Sequence, residues 1–323
     1  MTPTHRLLLT GSLVALVLGG PLVVPASESA TRGHRDLAYP DSRFERLAGV
    51  DVHHLDAGSS DGETLLLSHH FYGSAPTWRK VVDRLQDRHR LVAFDRPGFG
   101  LTERVDRQHW DGANPYTRDA AARIGWELLD HLDVEEAVLV GSSAGGTNVL
   151  EMYARQPARV RALVLVSPAI TGDVGPPDPL RPLLRSPQAR RLAPHAIRRL
   201  VGEVDAARVG ASWADPARAT ESDAEPYQRM LEVEGWERGF WEAITAEASP
   251  DLSDLLPRIE VPVLLVTGGA DRVIAPRSSQ RTAEVIPQAR FERLDDCGHT
   301  PQEECPERLA MLIADFLTGL DGR

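Results

Sequence analysis

Ser143 has the sequence context of a catalytic nucleophile. In the run Gly141-Ser142-Ser143-Ala144-Gly145-Gly146 it has a glycine two positions away on each side, whereas Ser142 does not. A serine hydroxyl can attack a carbonyl when a tight strand-to-helix turn presents it, and that turn accommodates only small flanking residues. Apolar residues 138–140 precede the run and a helical pattern follows it. We predict nucleophilic catalysis by Ser143; the alternative is a glycine-rich helix start that serves only packing.

His299 is the candidate general base for this serine. It lies in Cys297-Gly298-His299-Thr300-Pro301, between a predicted strand that ends near residue 293 and the final helical pattern. The preceding glycine lets the loop bring the imidazole back over the edge of a sheet. The alternative is an exposed loop histidine without a catalytic role.

Asp271 is the candidate acid that orients the histidine and stabilises its imidazolium form. It comes just after the predicted strand 263–267, and catalytic groups of open α/β sheets collect at the carboxyl ends of strands. The rival acids are Asp173, after the preceding strand, and Asp295 or Asp296, beside the histidine. We favour Asp271 for its position.

The oxyanion formed during attack on a carbonyl requires two backbone N–H donors. Ala144 supplies one, because it directly follows the nucleophile. The other is expected from the loop after the predicted strand 64–68, where Phe71 is the candidate. Its side chain is then free to line the acyl pocket.

Short apolar segments alternate with helical patterns along most of the chain, which predicts an α/β fold with a mostly parallel sheet flanked by helices. The first two segments read as a hairpin bent at Gly49. The predicted strands are 44–50, 51–56, 64–68, 91–94, 137–140, 163–167, 263–267 and 289–293.

Residues 168–257 interrupt this alternation. They contain prolines, arginines and short helical patterns, and about ninety residues are too many for a structureless loop in a compact domain. We predict a helical lid inserted into a core of residues 44–167 and 258–323. The arginines of 181–199 are interpreted as a solvated helical face. The lid aromatics are interpreted as lid core rather than pocket lining: Trp213, Trp236, Phe240 and Trp241.

Taken together, these motifs resemble the α/β-hydrolase superfamily, in the lidded branch that includes carboxylesterases, carbon–carbon bond hydrolases and cofactor-free haloperoxidases. The resemblance covers about residues 44–318. It rests on five ordered motifs: LLLSHHFYGS from Leu65, AFDRPGFG from Ala93, VGSSAGG from Val140, VTGGAD from Val266 and GHTPQEECPE from Gly298. The chain order serine, aspartate, histidine agrees with that superfamily.

The chain departs from the family pattern at two positions. The His-Gly pair usual after the third strand is His69-His70 here, which places a bulky side chain beside the oxyanion loop. The residue before the nucleophile, often histidine, is Ser142. Neither departure removes a catalytic group, but both affect the oxyanion geometry. His69 is expected to be a structural loop histidine.

The N-terminus predicts export. An apolar stretch from Leu7 follows His5 and Arg6, Pro21 interrupts it, and Val24-Pro25-Ala26 offers small residues for a signal peptidase. We interpret residues 1–26 as a signal peptide, with an uncleaved membrane anchor as the alternative, and residues 27–43 as a linker. In an exported protein Cys297 and Cys305 either form a disulfide across the histidine loop or are two free thiols.

Charge and composition limit the partners. The formal net charge of −11 on the 323-residue chain argues against a nucleic-acid partner, and membrane contact is expected only through an uncleaved N-terminal anchor. The pairs His53-His54 and His69-His70 suggest a metal site. However, the side chains of adjacent residues in an extended chain point to opposite faces, so neither pair chelates a metal easily. No metal or other cofactor is therefore predicted.

The expected function is hydrolysis of a small carboxylic ester through an acyl-enzyme. One alternative is a carbon–carbon hydrolase acting on vinylogous diketone acids, with Arg79 or lid arginines binding the carboxylate. Another is a cofactor-free haloperoxidase or perhydrolase. A non-enzymatic alternative is a binding protein that retains the hydrolase fold without its activity.

Overall fold

The computed structural model describes residues 30, 32–60, 62–107, 109–170, 178–246 and 251–321. The predicted signal segment and the rival acid Asp173 lie outside these ranges. Within the predicted linker, several described residues contact the rest of the fold. Arg35 makes two hydrogen bonds to Asp51, of 2.6 and 2.7 Å, and Leu37 is buried. This part of the segment is therefore held by the core.

Within the described ranges, eight strands form one sheet in the order β1-β2-β4-β3-β5-β6-β7-β8. β1 and β2 form an antiparallel hairpin, β2 pairs antiparallel with β4, and every other pair is parallel. The strands are β1 Arg43–Leu47, β2 Val50–Ala57, β3 Glu63–Ser68, β4 His89–Phe94, β5 Ala137–Ser142, β6 Val160–Val166, β7 Val263–Gly268 and β8 Ala289–Leu294. The predicted mostly parallel α/β sheet is confirmed.

The central strands are buried on both faces, which explains their continuous apolar sequence. In β5, Leu139 packs into the core on one face of the sheet, while Val138 and Val140 pack into the core on the other. All three side chains are fully buried. Truncating such a leucine to alanine typically costs about 2–5 kcal/mol. The sheet is therefore a rigid support for the turn that follows β5.

Helices cover both faces of this sheet. The α-helices are α1 Arg79–Leu85, α2 Arg118–His131, α3 Ala144–Arg155, α4 Arg181–Leu184, α5 Pro187–Val201, α6 Ala206–Gly210, α7 Glu221–Met230, α8 Trp236–Thr245, α9 Pro276–Val285, α10 Pro301–Glu304 and α11 Pro306–Asp321. α2 and α3 pack on one face, and α1 and α11 pack on the other. In the part of the chain that the structure describes, no helix combines the length and apolarity needed to cross a bilayer.

Helices α4 to α8 lie between β6 and β7 and form a helical insertion, described over residues 178–246. Its interior contains the buried side chains of Trp213, Trp236 and Phe240, with Trp241 partly buried against them. The interpretation of these aromatics as core agrees with this packing, although Phe240 also lines the cavity described below.

The arginines of 181–199 do not form one solvated face, so that interpretation is wrong in part. Arg181 is buried. Arg198 pairs with Glu237 at 2.9 Å and Arg190 pairs with Glu242 at 3.1 Å, and both carboxylates are almost completely buried. A buried carboxylate is costly unless it is paired, so two arginines of α5 turn inward to meet α8.

Candidate active site

A strained turn presents Ser143 at the carboxyl end of β5. The residue has φ 50° and ψ −116°, between the last residue of β5 and the first of α3. Its neighbours must be small: a Cβ added at Gly141 would lie 2.3 Å from the carbonyl oxygen of Gly145, and one at Gly145 would lie 2.1 Å from that of Ser68. The predicted strand–turn–helix context of Ser143 is therefore present.

The structure brings Ser143, His299 and Asp271 into one hydrogen-bonded line. Ser143 Oγ lies 3.0 Å from His299 Nε2, and His299 Nδ1 lies 2.8 Å from Asp271 Oδ2. All three residues are buried. The other carboxylate oxygen of Asp271 accepts hydrogen bonds from the N–H groups of Val273 and Ile274, at 2.8 and 2.9 Å. The carboxylate is thereby fixed toward the imidazole.

The rival acids beside the histidine take no part in this line. The Asp295 side chain is 74% exposed and pairs with Arg293, and the Asp296 side chain is 84% exposed and pairs with Arg308. Both point away from His299 into solvent. Among the residues that the structure describes, Asp271 is the acid whose carboxylate hydrogen-bonds to the imidazole of His299.

The histidine loop is held from two sides. On the sheet side, a Cβ added at Gly268 would lie 1.9 Å from the carbonyl oxygen of Gly298, so β7 and the loop are in direct backbone contact. On the other side, the N–H of His299 donates to the carbonyl of Ser212 in the helical insertion, at 2.8 Å. The insertion thus contributes to the position of the candidate base.

Glu304 reinforces this attachment. Its buried carboxylate accepts hydrogen bonds from the N–H of Gly298 at 2.6 Å and from the N–H of Ala214 at 3.0 Å. One side chain therefore ties the histidine loop to the insertion. Sequence reasoning did not assign this role, because nothing in the local pattern identifies a partner ninety positions away.

Cys297 and Cys305 form a disulfide that brackets His299, with their Cα atoms 6.2 Å apart. The sequence left the disulfide and two free thiols equally open. The bridge closes the loop that carries the histidine onto the start of α11.

Phe71 and Ala144, the residues with the two candidate oxyanion donors, line the same cavity as Ser143 and His299. Ala144 is the first residue of α3, so its N–H has no partner within the helix. Phe71 lies in the turn after β3, and within the described ranges its N–H has no hydrogen-bond partner. Both N–H groups are therefore available to a bound oxyanion.

His69 is a buried structural residue, as expected. Its Nδ1–H donates to the carbonyl of His70 at 2.7 Å, and its Nε2 accepts from the N–H of Arg96 at 3.1 Å. Burial lowers the pKa of His69 to about 3, so the ring is neutral. Among the residues that the structure describes, no group of three or more His, Cys, Asp or Glu side chains is arranged to hold a metal ion.

The cavity beside Ser143 has a volume of about 800 Å³. Its walls come from the loops above the sheet and from the helical insertion, and most of the lining side chains are apolar. These include Phe71, Phe99, Val201, Val204, Phe240 and Ile244. Such a cavity holds a mainly apolar small molecule with its reacting group next to the serine.

Known proteins share this architecture. The family model described as "alpha/beta hydrolase fold" matches residues 63–306. The magnesium-chelatase 30 kDa subunit of Rhodobacter capsulatus is 29% identical over 85% of this chain and 93% of its own length. The 2-hydroxymuconate semialdehyde hydrolase of Pseudomonas sp. (strain CF600) is also 29% identical, with the same coverage.

A solved structure shows the same fold. The thermophilic esterase from Thermogutta terrifontis superposes with a TM-score of 0.69 at 23% identity, over 86% of this chain and 98% of the esterase. The shared sheet, the turn at Ser143 and the family match over residues 63–306 lead to one conclusion. The chain belongs to the α/β-hydrolase fold family.

Proposed function

We propose that this protein is a serine hydrolase that cleaves a carboxylic ester of a small, largely apolar molecule. The observation that carries the proposal is the hydrogen-bonded line from Ser143 through His299 to Asp271, which opens onto the apolar cavity. A serine hydroxyl is a weak nucleophile unless an oriented base removes its proton.

The reaction proceeds in two halves. Ser143 Oγ attacks the ester carbonyl while His299 Nε2 takes its proton, and Asp271 stabilises the resulting imidazolium. The N–H groups of Phe71 and Ala144 bind the oxyanion, each worth about 3 kcal/mol of transition-state stabilisation. His299 then protonates the departing alcohol and leaves an acyl group on Ser143. Water, deprotonated by His299, releases the acid and restores the hydroxyl.

Three phenylalanine rings in contact support an apolar substrate. The Phe71 ring centroid lies 5.6 Å from that of Phe99 and 5.3 Å from that of Phe240, and the latter two are 5.9 Å apart. Mutually packed aromatic rings are a rigid surface for an acyl chain or an apolar alcohol. We assign this cluster to the binding of the apolar part of the ester.

Carbon–carbon hydrolysis is a second candidate, favoured by the similarity to a 2-hydroxymuconate semialdehyde hydrolase. It would need a cation for the substrate carboxylate. Arg79, which the sequence suggested for this role, pairs with Asp41 at 2.7 Å and does not line the cavity. The cavity wall contains Arg96, Arg118 and Arg208 instead. Arg96 donates to the carbonyls of His69 and His70, so its guanidinium is already engaged.

A substrate panel distinguishes the two reactions. The wild type and Ser143→Ala would be tested on p-nitrophenyl esters of rising chain length and on a 2-hydroxy-6-oxo-dienoate, whose absorbance disappears on cleavage. Ser253→Ala, at an exposed serine, is the matched control. We expect ester turnover that is lost only in Ser143→Ala. Cleavage of the dienoate without ester turnover would replace the ester proposal by carbon–carbon hydrolysis.

We also propose that the protein is exported with residues 1–26 acting as a signal peptide. The disulfide between Cys297 and Cys305 supports this, because such bonds persist mainly in oxidising compartments. The test is the N-terminal residue of the protein recovered outside the cytoplasm. A start near residue 27 supports cleavage, whereas an intact Met1 in the membrane fraction supports an anchor.

A further inference from the structure

Five buried polar residues connect the turn of the nucleophile to the helical insertion. Ser142 Oγ lies 3.3 Å from Gln302 Oε1, and Gln302 Nε2 lies 3.2 Å from His70 Nδ1. The other ring nitrogen of His70 lies 3.0 Å from the hydroxyl of Tyr227 on α7. That hydroxyl donates to the carboxyl group of Glu303 at 2.9 Å. The chain of hydrogen bonds is therefore continuous from β5 to α7.

With the donors in the order that the structure shows, His70 has one tautomeric form. Gln302 donates from its amide nitrogen, so Nδ1 of His70 is an acceptor and the ring proton is on Nε2. That proton is donated to the oxygen of Tyr227, whose own proton goes to Glu303. Burial keeps the pKa of His70 well below its usual value, so the ring is neutral and both nitrogens are used.

This network joins the two departures from the family pattern. His70 stands where a glycine is usual, and Ser142 stands where a histidine is often found; Gln302 hydrogen-bonds to both. The His70 ring is also tightly enclosed, since a Cβ added at Gly73 would lie 2.7 Å from its Cε1. The two unusual residues thus belong to one buried assembly.

We propose that His70 is a positioning residue, which holds the loop that offers the Phe71 N–H to the oxyanion because Gln302 and Tyr227 clamp its ring from both sides. His70 and Phe71 are adjacent in the chain, so movement of the ring moves the donor. Glu303 anchors the Tyr227 hydroxyl. This inference rests on the proposed ester hydrolysis, and it assigns a helical-insertion residue to the geometry of the reaction.

Glu303 gives the network a charge that depends on pH. Burial raises the pKa of Glu303 to about 8, only partly offset by the hydrogen bond from Tyr227. The groups facing its carboxyl group are Tyr227 and Asp223 of α7 and Lys80 of α1, and His70 adjoins it through Tyr227. Lys80 is itself engaged, pairing with Asp223 at 2.6 Å.

Ionisation of Glu303 strengthens the clamp. A carboxylate accepts a stronger hydrogen bond from the Tyr227 hydroxyl than a neutral acid does. A carboxylate can only accept, so the Tyr227 hydroxyl must donate to Glu303 and His70 must donate to Tyr227. A protonated Glu303 can instead donate to Tyr227, which allows the direction of these hydrogen bonds to reverse. We therefore expect kcat to rise as the pH rises through about 8.

The test uses Tyr227→Phe, Gln302→Met and the double variant, with kcat and KM measured on a p-nitrophenyl ester. Each single variant should lower kcat about tenfold with little change in KM, less than the ~10²–10³-fold loss of a whole oxyanion donor. The double variant should lose little more than either single variant, because both release the same ring. Glu303→Gln should remove the rise in kcat near pH 8.

Tyr39→Phe is the matched control, since its hydroxyl donates to Glu225, also on α7, at 2.9 Å. It should leave kcat unchanged, which separates the clamp from a general loosening of α7. If the wild type hydrolyses esters and Tyr227→Phe has the same kcat and pH profile, the inference is overturned and the proposed function stands. If the wild type hydrolyses no ester, the proposed function itself fails.

Discussion

The sheet and the helical insertion hold the candidate site by different means. β5 to β7 position Ser143 and Asp271 through fully buried apolar strands and direct backbone contacts at glycines. The insertion is held by a small aromatic cluster, buried ion pairs and individual hydrogen bonds to the histidine loop. The sheet therefore fixes Ser143 and Asp271, whereas the insertion shapes the cavity and adds individual hydrogen bonds that help to position His299.

Asp271→Asn is the substitution in the rigid part with the largest expected effect. The amide keeps the shape but cannot stabilise the imidazolium, and it favours the wrong histidine tautomer, so kcat should fall about 10³–10⁴-fold with the fold intact. Asp295→Asn, at an exposed carboxylate, is the control and should retain activity. Steady-state kinetics check both, and a loss of less than tenfold in Asp271→Asn would remove Asp271 from the proposed mechanism.

Arg198→Ala tests how the insertion is held. It leaves the fully buried carboxylate of Glu237 without this partner. Breaking a fully buried pair costs about 3–5 kcal/mol, and we expect a smaller loss of stability here because the Arg198 side chain is 38% exposed. Hydrogen exchange should accelerate in α5 and α8 while β5 stays protected. Arg290→Ala, which removes a surface pair with Asp315, should change neither region. Equal acceleration in β5 and the insertion would show that the two regions unfold together.

Phe240→Ala tests whether the insertion shapes the binding site. Removing this ring from the aromatic cluster should raise KM for long-chain esters about tenfold, since each buried CH₂ contributes about 0.8 kcal/mol. Short-chain esters should be affected less. Kinetics on an ester series check this. The control for general destabilisation is Phe316→Ala, because Phe316 lies on α11 and its side chain is buried in the core on the sheet face that α1 and α11 cover, away from the aromatic cluster. An identical change in KM at every chain length would contradict this role.

Glu303→Gln should change how the stability of the protein depends on pH. The folded pKa of about 8 lies above the ordinary value of 4.5, so the folded state retains a proton that the unfolded state has lost. The contribution of Glu303 to stability is therefore largest in acid and decreases as the pH rises from about 4.5 to about 8. The melting temperature of Glu303→Gln should fall less over this interval than that of the wild type. Parallel curves would contradict the raised pKa.

The fold could be predicted from the sequence because buried parallel strands are continuous apolar runs between turn residues. β7 and β8 differ from their predicted ranges by one residue each. β4 begins two residues earlier than predicted, because the polar residues His89 and Arg90 pair with the first two residues of β3. The apolar pattern of the sequence alone cannot locate strand ends that consist of polar residues.

Contacts between distant segments could not be predicted. Ser143, His299 and Asp271 were identified because each follows a strand in a recognisable motif. By contrast, Tyr227 and His70 are separated by 157 positions, and neither has a local pattern that identifies the other. The carbonyl of Ser212, which holds His299, has no sequence signature at all. Such contacts depend on how the insertion folds over the sheet.

Ser143 is the residue that we propose attacks the substrate. The most direct test is peptide mapping by mass spectrometry after the folded protein reacts with a fluorophosphonate. We predict one adduct, on Ser143, that forms far more slowly in His299→Ala because the hydroxyl has lost its base. An adduct on Ser142 would contradict the assignment, and the absence of any adduct would indicate a binding protein that retains the hydrolase fold without its chemistry.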